Sequence, residues 1–275
     1  MPGWLPCNAG VSPVAAEKGP KLMKNDQPLV STQDFPLALA LLTRLPVHVP
    51  QFNRTAQAAW AFPLVGVIVG GLAGVAGLWA NWIGLPNPII ALISLLVLIF
   101  LTGALHEDGL ADSADGLWGG WDAARRLAIM KDSHIGSYGV LALLFSFAAR
   151  WAALWLLFDI GQGSAFAAIV TGSVASRAIM PAVMATLPNA RRSGLSHSTG
   201  RPSATTAGIG LSMALALSVL LLGWNGVWAL LCAGLLASIV AAIAYKKIGG
   251  QTGDILGASQ QLSEIAVLFS LLTLQ

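Results

Sequence analysis

Two long stretches of this chain, Trp60 to Leu105 and Pro202 to Tyr245, contain no Asp, Glu, Lys, Arg or His. Each is long enough for two membrane crossings of about 20 residues. Composition supports the same reading. Only 10% of the residues are charged and 56% are hydrophobic, whereas an ordinary soluble domain is roughly a quarter charged. The chain therefore reads as an all-α, polytopic integral membrane protein. Its net charge of +3 comes from scattered loop arginines and lysines, which argues for membrane orientation and against nucleic acid as a partner. Cys7 and Cys232 are far apart, so no disulfide or zinc framework is implied.

The first thirty residues are rich in Pro, Gly, Asn and Lys and lack an apolar core segment, which excludes a classical signal peptide. Residues 1–33 are expected to form a disordered extension, with Met23 as an alternative start, ahead of a single membrane-embedded catalytic domain over 34–275. Hydropathy and turn residues place about seven spans: Trp60 to Trp82, Pro88 to Leu105, Ser137 to Phe158, Ser164 to Leu187, Thr205 to Leu222, Gly226 to Tyr245 and Ile255 to Leu274. Phe35 to Leu45, closed by Pro46, is too short to cross and is read as an interfacial or re-entrant helix.

Loop charge assigns the sides, because cytoplasmic loops retain Lys and Arg. Arg44 and Arg54, then Arg125, Arg126 and Lys131, then Arg191, Arg192 and Arg201, and finally Lys246 and Lys247 fall on one side, while the intervening loops hold no basic residue. That alternation puts the N-terminus in the cytoplasm. Trp79, Trp82, Trp224 and Trp228 then mark the outer interface.

Chemistry concentrates after the second span, where Asp108, Asp112 and Asp115 stand at i, i+4 and i+7, on one face of a helix. Carboxylates so close repel one another unless they hold protons or a cation. An oxygen-only set favours a hard divalent ion such as Mg²⁺, which takes one or two carboxylates and fills its other positions with water and phosphate. The alternative is a solvated acidic helix end. It is weakened because the cluster continues directly from an apolar span, where idle charge is expensive. His106 and Glu107 flank the cluster and read as solvated or interfacial residues.

In the same loop, Asp132 is a candidate fourth metal ligand or, equally, an N-cap for the third span, and Lys131 is a candidate phosphate contact. A third polar stretch, Gly249 to Ala258, opens the last span with a Gly-rich turn suited to an anion. There Gly253 and Gly257 also form a small-residue pair for helix packing, and Asp254 has the alternative role of a cap. Arg150 and Arg177 lie inside spans, where arginine is by default functional. Arg177 is expected to face a polar cavity and neutralise a diphosphate, with an internal ion pair to Glu264 as the alternative. Several Asp, two intramembrane Arg and a Gly-rich turn suit metal-assisted phosphoryl transfer.

These residues resemble a known family, the adenosylcobinamide-GDP ribazoletransferases or cobalamin (5′-phosphate) synthases. The likeness runs through Leu42-Thr-Arg-Leu-Pro, Phe62-Pro-Leu-Val-Gly, the Asp108 cluster, Ile129-Met-Lys-Asp-Ser, Ser176-Arg177 and Gly249-Gly-Gln-Thr-Gly-Asp-Ile-Leu-Gly-Ala. The resemblance implies an Mg²⁺-dependent enzyme of the inner membrane that joins adenosylcobinamide-GDP to α-ribazole or its 5′-phosphate, releasing GMP. Asp108, Asp112, Asp115 and Asp132 would hold the metal, with Asp108 and Asp115 the catalytic pair and Asp115 the general base. Lys131, Arg177, Arg150, Gly253, Asp254, Glu264 and Arg44 would contact substrate. The chain departs from the family pattern where Glu107 replaces an expected Leu, His134 an expected Arg, and Gln261 an expected Glu. The competing readings are a CDP-alcohol phosphotransferase, disfavoured because Asp112 and Ser113 stand where Ala and Arg are expected, and a cation or cobamide transporter, for which no inverted repeat is visible.

Overall fold

The computed structural model describes residues 28–49 and 52–274, whose regular structure is helical apart from an isolated parallel bridge between Asn189 and Gln251. Cys7, Met23 and most of the expected extension lie outside the described residues. The chain enters α1 (Asp34–Leu42), the short α2 (Thr55–Ala58) and a 3₁₀ turn (Ala59–Ala61) that continues into α3 (Phe62–Trp82). There follow α4 (Asn87–Thr102), α5 (Leu105–Gly119), α6 (Ala123–Ile129), α7 (Ser137–Ile160) and α8 (Gln162–Thr186). The remaining helices are α9 (Leu195–Thr199), α10 (Ala204–Leu222), α11 (Trp224–Ile248) and α12 (Gly253–Leu272).

Six helices are long and apolar enough to cross a membrane, and the pair α4 and α5, bent by 85°, provides a seventh candidate. All seven expected spans fall on these elements, with ends shifted by a few residues, and α1 is the expected short helix before them. α8 and α12 form the centre: 83% and 72% of their apolar windows are buried, against 28% for α7, α10 and α11, whose outer faces carry residues such as Phe145, Leu220 and Leu235. Small residues let backbones approach where lipid supplies no drive for association. Between α3 and α8, for example, a methyl added to Gly70 would meet Ser173 Cβ at 2.9 Å.

The bend between α4 and α5 sets up everything that follows. Gly103 closes α4 in the left-handed region (φ 64°), and Ala104 is also left-handed (φ 57°), the only such non-glycine among the described residues. Ala104 N–H donates back to Ile99 O at 3.0 Å, closing a Schellman-type cap. A left-handed alanine costs roughly 1–2 kcal/mol. What that strain achieves is a change of direction, so that α5 leaves the α4 axis and lies across α12. The expected second span, which ran on to Leu105, stops three residues earlier at this corner.

Candidate active site

α5 and α12 meet glycine to glycine. A Cβ built on Gly109 would lie 3.1 Å from Gly257 Cα, and one on Gly257 would lie 3.2 Å from Gly109 Cα. This close approach puts Asp108 of α5 opposite Asp254 in the first turn of α12, and both line one open polar cavity of about 190 Å³ with Arg191, Ser193 and His197. Asp254 Oδ2 accepts from Arg191 Nη2 at 2.7 Å and from Thr252 Oγ1 at 3.1 Å. The N-cap of α12 is Thr252, whose Oγ1 accepts from Ile255 N–H at 3.3 Å, so Asp254 is free of the capping role it had as an alternative. Asp112, one turn on from Asp108, stands in the field of Asp108 and Asp254, opposed by Arg191, with Asp115 a weaker neighbour.

The opposite wall is the segment between α8 and α10. Gln251 ties it down: its N–H donates to Pro188 O and its carbonyl accepts from Ala190 N–H, both at 2.8 Å, while its side chain accepts from Ser196 Oγ at 2.6 Å and donates to Asn189 Oδ1. Gly250 is required because a Cβ there would press on the Pro188 carbonyl, 3.0 Å from its carbon. The Gly-rich turn therefore braces the cavity, and Gly253 sits on its rim. Sequence reasoning assigned Arg191 to topology. Nothing local distinguishes it from the exposed Arg192 beside it, and only the fold brings it to Asp254.

Other expected site residues take different places. Asp115 is buried and accepts from Gly136 N–H at 2.7 Å and Gly139 N–H at 2.9 Å, so it caps α7 from a neighbouring helix, the role weighed for Asp132. Asp132 is exposed and accepts from His134 at 2.7 Å. That contact holds the Asp132 carboxyl below its usual range and raises the His134 imidazole above its own. Neither Asp132 nor Lys131, also exposed, lines the cavity. The expected quartet of metal ligands is thus not assembled: Asp108 and Asp112 stay together, Asp254 joins them, and Asp115 and Asp132 are engaged elsewhere. No group of three or more His, Cys, Asp or Glu at metal-binding spacing occurs among the described residues. Arg44 is exposed at the corner, its side chain lying over Gly103 and its N–H donating to Leu101 O at 2.8 Å.

Arg150, Arg177 and Glu264 do not line this cavity either. They are 2%, 1% and 4% exposed and belong to a closed network inside the bundle. Arg150 meets Glu107 at 3.0 Å and Glu264 at 3.6 Å. Gln260 Nε2 donates to Glu264 at 2.8 Å and to Ser176 Oγ at 2.9 Å, and Ser146 Oγ donates to Gln261 Oε1 at 3.1 Å. Arg177 donates to Ser173 O at 3.0 Å and lies in the field of Glu264 and Glu107. Arg177 thus lies inside the network and not at an open cavity, and the ion pair to Glu264 weighed for it is made by Arg150 instead. Glu107 and His106, read from sequence as solvated or interfacial, are buried. Two of the departures from the family pattern meet here, because Gln261 Nε2 donates to Glu107 Oε1 at 3.2 Å.

Facing carboxylates and an arginine around a polar cavity, set in a bundle of long apolar helices, define a polytopic membrane protein with a charged cavity. The chain belongs to the cobalamin-5-phosphate synthase family, whose match covers residues 34–272. It is 43% identical over 238 residues to the adenosylcobinamide-GDP ribazoletransferase of Mesorhizobium japonicum, covering 86% of this chain and 91% of that protein. Against the proteins of the same name from Bradyrhizobium diazoefficiens and Brucella ovis it is 40% and 44% identical over 245 residues, covering 86% and 85% of this chain and 91% and 94% of theirs. No solved structure matches the chain. Family membership makes it a transferase of cobalamin synthesis.

Proposed function

We propose that the chain joins adenosylcobinamide-GDP to α-ribazole or its 5′-phosphate, releasing GMP, in an Mg²⁺-dependent reaction at the cytoplasmic face of the inner membrane. The substrates follow the printed names of its relatives. The side follows the basic loops, which retain positive charge in the cytoplasm. The carrying observation is that Asp108 and Asp254 line one cavity from facing helices, with Arg191 of the loop wall bonded to Asp254.

The donor set fits the metal. Mg²⁺ typically takes one or two carboxylates and leaves its other positions to water and phosphate, so a complete protein cage is not needed. Asp108 and Asp254 Oδ1 would hold it, and when bound it supplies charge neutralisation at the diphosphate oxygens. Arg191 binds the diphosphate with its planar fork, exchanging Asp254 for phosphate oxygens. The acceptor hydroxyl attacks the phosphorus joined to cobinamide, a P–O bond forms, and the diphosphate bridge breaks so that GMP leaves with the electron pair. Asp112 takes the hydroxyl proton, since its carboxylate accepts no hydrogen bond among the described residues, whereas that of Asp115 is held by two backbone amides.

Purified protein mixed with adenosylcobinamide-GDP, α-ribazole and Mg²⁺ should release GMP in step with corrinoid product, and EDTA should stop it. Absence of GMP under those conditions overturns the reading.

A further inference from the structure

Beside the polar cavity lies a second, apolar pocket lined by Leu42, Phe62, Met180, Met184 and Leu256, with Leu105, Leu195, Ser196 and Gly253 as walls shared by the two. His106 forms part of its lining. The imidazole is 2% exposed, and neither ring nitrogen has a hydrogen-bond partner among the described residues. Its charged neighbours, Arg177 and Arg150, are donors only, so they offer its lone pair no acceptor and its N–H no partner. The other polar groups on this wall are occupied: Ser196 Oγ donates to Gln251 at 2.6 Å and Thr199 Oγ1 to Leu195 O at 2.8 Å. A buried polar group with no partner costs about 1–3 kcal/mol, and a native site that keeps one calls for an explanation.

Resting on the proposed reaction, we infer that this pocket is the seat of the acceptor's base, a flat apolar heteroaromatic ring system whose unprotonated ring nitrogen accepts a hydrogen bond from His106. The ribose would then lie at the shared walls, with its hydroxyl in the acidic cavity. Three features favour this occupant. The walls are aliphatic, thioether and aromatic, suited to a benzimidazole-like ring and poor for guanine, whose several donors and acceptors would be left unpaired. At about 40 Å³ the pocket is too small for a corrinoid. An imidazole N–H without a partner matches a single ring acceptor.

The test compares two acceptors in the GMP-release assay: α-ribofuranosyl benzimidazole and its indole counterpart, which has C–H in place of the ring nitrogen. For the wild-type chain the KM of the benzimidazole nucleoside should be about 10-fold lower, the worth of one buried hydrogen bond. In His106→Phe the two KM values should converge while that of adenosylcobinamide-GDP stays unchanged. Met184→Trp, which fills the pocket, should raise both acceptor KM values together. Equal KM values for the two nucleosides in the wild type overturn the inference even if His106→Phe fails to fold. So does a His106→Phe or Met184→Trp effect confined to the donor, which would assign the pocket to guanosine. Release of no GMP with any acceptor is a different result, one that removes the reaction itself.

Discussion

Glu107 and Asp108 are adjacent on α5, yet they serve opposite environments. Glu107 turns inward, where Arg150 and Gln261 hold it in a closed network, and Asp108 turns to the open cavity, its carboxylate without a hydrogen-bond partner among the described residues. On α12 the same division recurs along the helix, with Asp254 at the cavity and Gln260, Gln261 and Glu264 in the network. The two regions teach that burial of charge in this bundle takes two forms. Where acids and arginines match each other they hold helices together, and where acids face one another across an opening they stay accessible, as the proposed reaction requires. Removing a member should separate the two: activity without stability in one region, stability before activity in the other.

The largest effect is expected at the cavity. Asp108→Ala should lower the rate of GMP release by about 10³-fold, the scale of losing a preorganised contact to a developing charge, while membrane insertion and thermal stability in detergent stay near those of the parent. Near-normal turnover in this variant would dissolve the comparison. The network should respond in the other sense. Glu107→Leu leaves Arg150 with only its 3.6 Å contact to Glu264 and should destabilise the fold by about 3–5 kcal/mol, as loss of one partner of a buried pair does. Adding Gln261→Glu should restore part of that, because the side chains of 107 and 261 are hydrogen-bonded at 3.2 Å and a carboxylate at 261 returns a negative charge next to the position Glu107 leaves. Thermal unfolding of both single variants and the double variant gives the coupling directly.

Arg191 tests the boundary between the regions, since it is paired to an acid and yet lines the cavity. Arg191→Ala should reduce kcat/KM for adenosylcobinamide-GDP by about 10²-fold, with Arg191→Lys only partly restoring it, because an ammonium lacks the planar two-point grip on phosphate. Arg192→Ala should change neither parameter by more than about twofold, as exposed surface charges contribute little.

Legibility in the sequence follows what each feature depends on. The spans were legible because a bilayer forbids charge over a fixed length, so uncharged runs and basic loops carry the information locally. The acidic cluster was legible from its spacing. The corner at Gly103 and Ala104 was not, since a left-handed alanine has no sequence signal, and without the corner the side of α5 that meets α12 is undetermined. Sequence alone therefore puts Glu107 at a surface, gives Arg177 a cavity and leaves Arg191 to topology. For Glu107 and Arg191 the partner is a residue more than 40 positions away, and such pairings are set by packing.

Asp115 is expected to show the smallest effect and draws the finest line. It belongs by spacing to the acidic cluster and by contacts to the framework, because Gly136 N–H and Gly139 N–H occupy its two oxygens at the start of α7. Its negative charge also sits favourably at that helix N-terminus, a contribution of about 0.3–1 kcal/mol. Asp115→Asn keeps one acceptor and loses the charge and one charge-assisted bond, so stability should fall by about 1–3 kcal/mol. If capping is its role, kcat should drop less than about 10-fold, and the pH–rate profile of the variant should overlay the parent's. A general base, by contrast, contributes about 10²–10⁴-fold and takes one limb of that profile with it. Loss of that limb in Asp115→Asn, with Asp112→Asn retaining it, would move the proton acceptor to Asp115 and redraw the division between cavity and framework one turn further along α5.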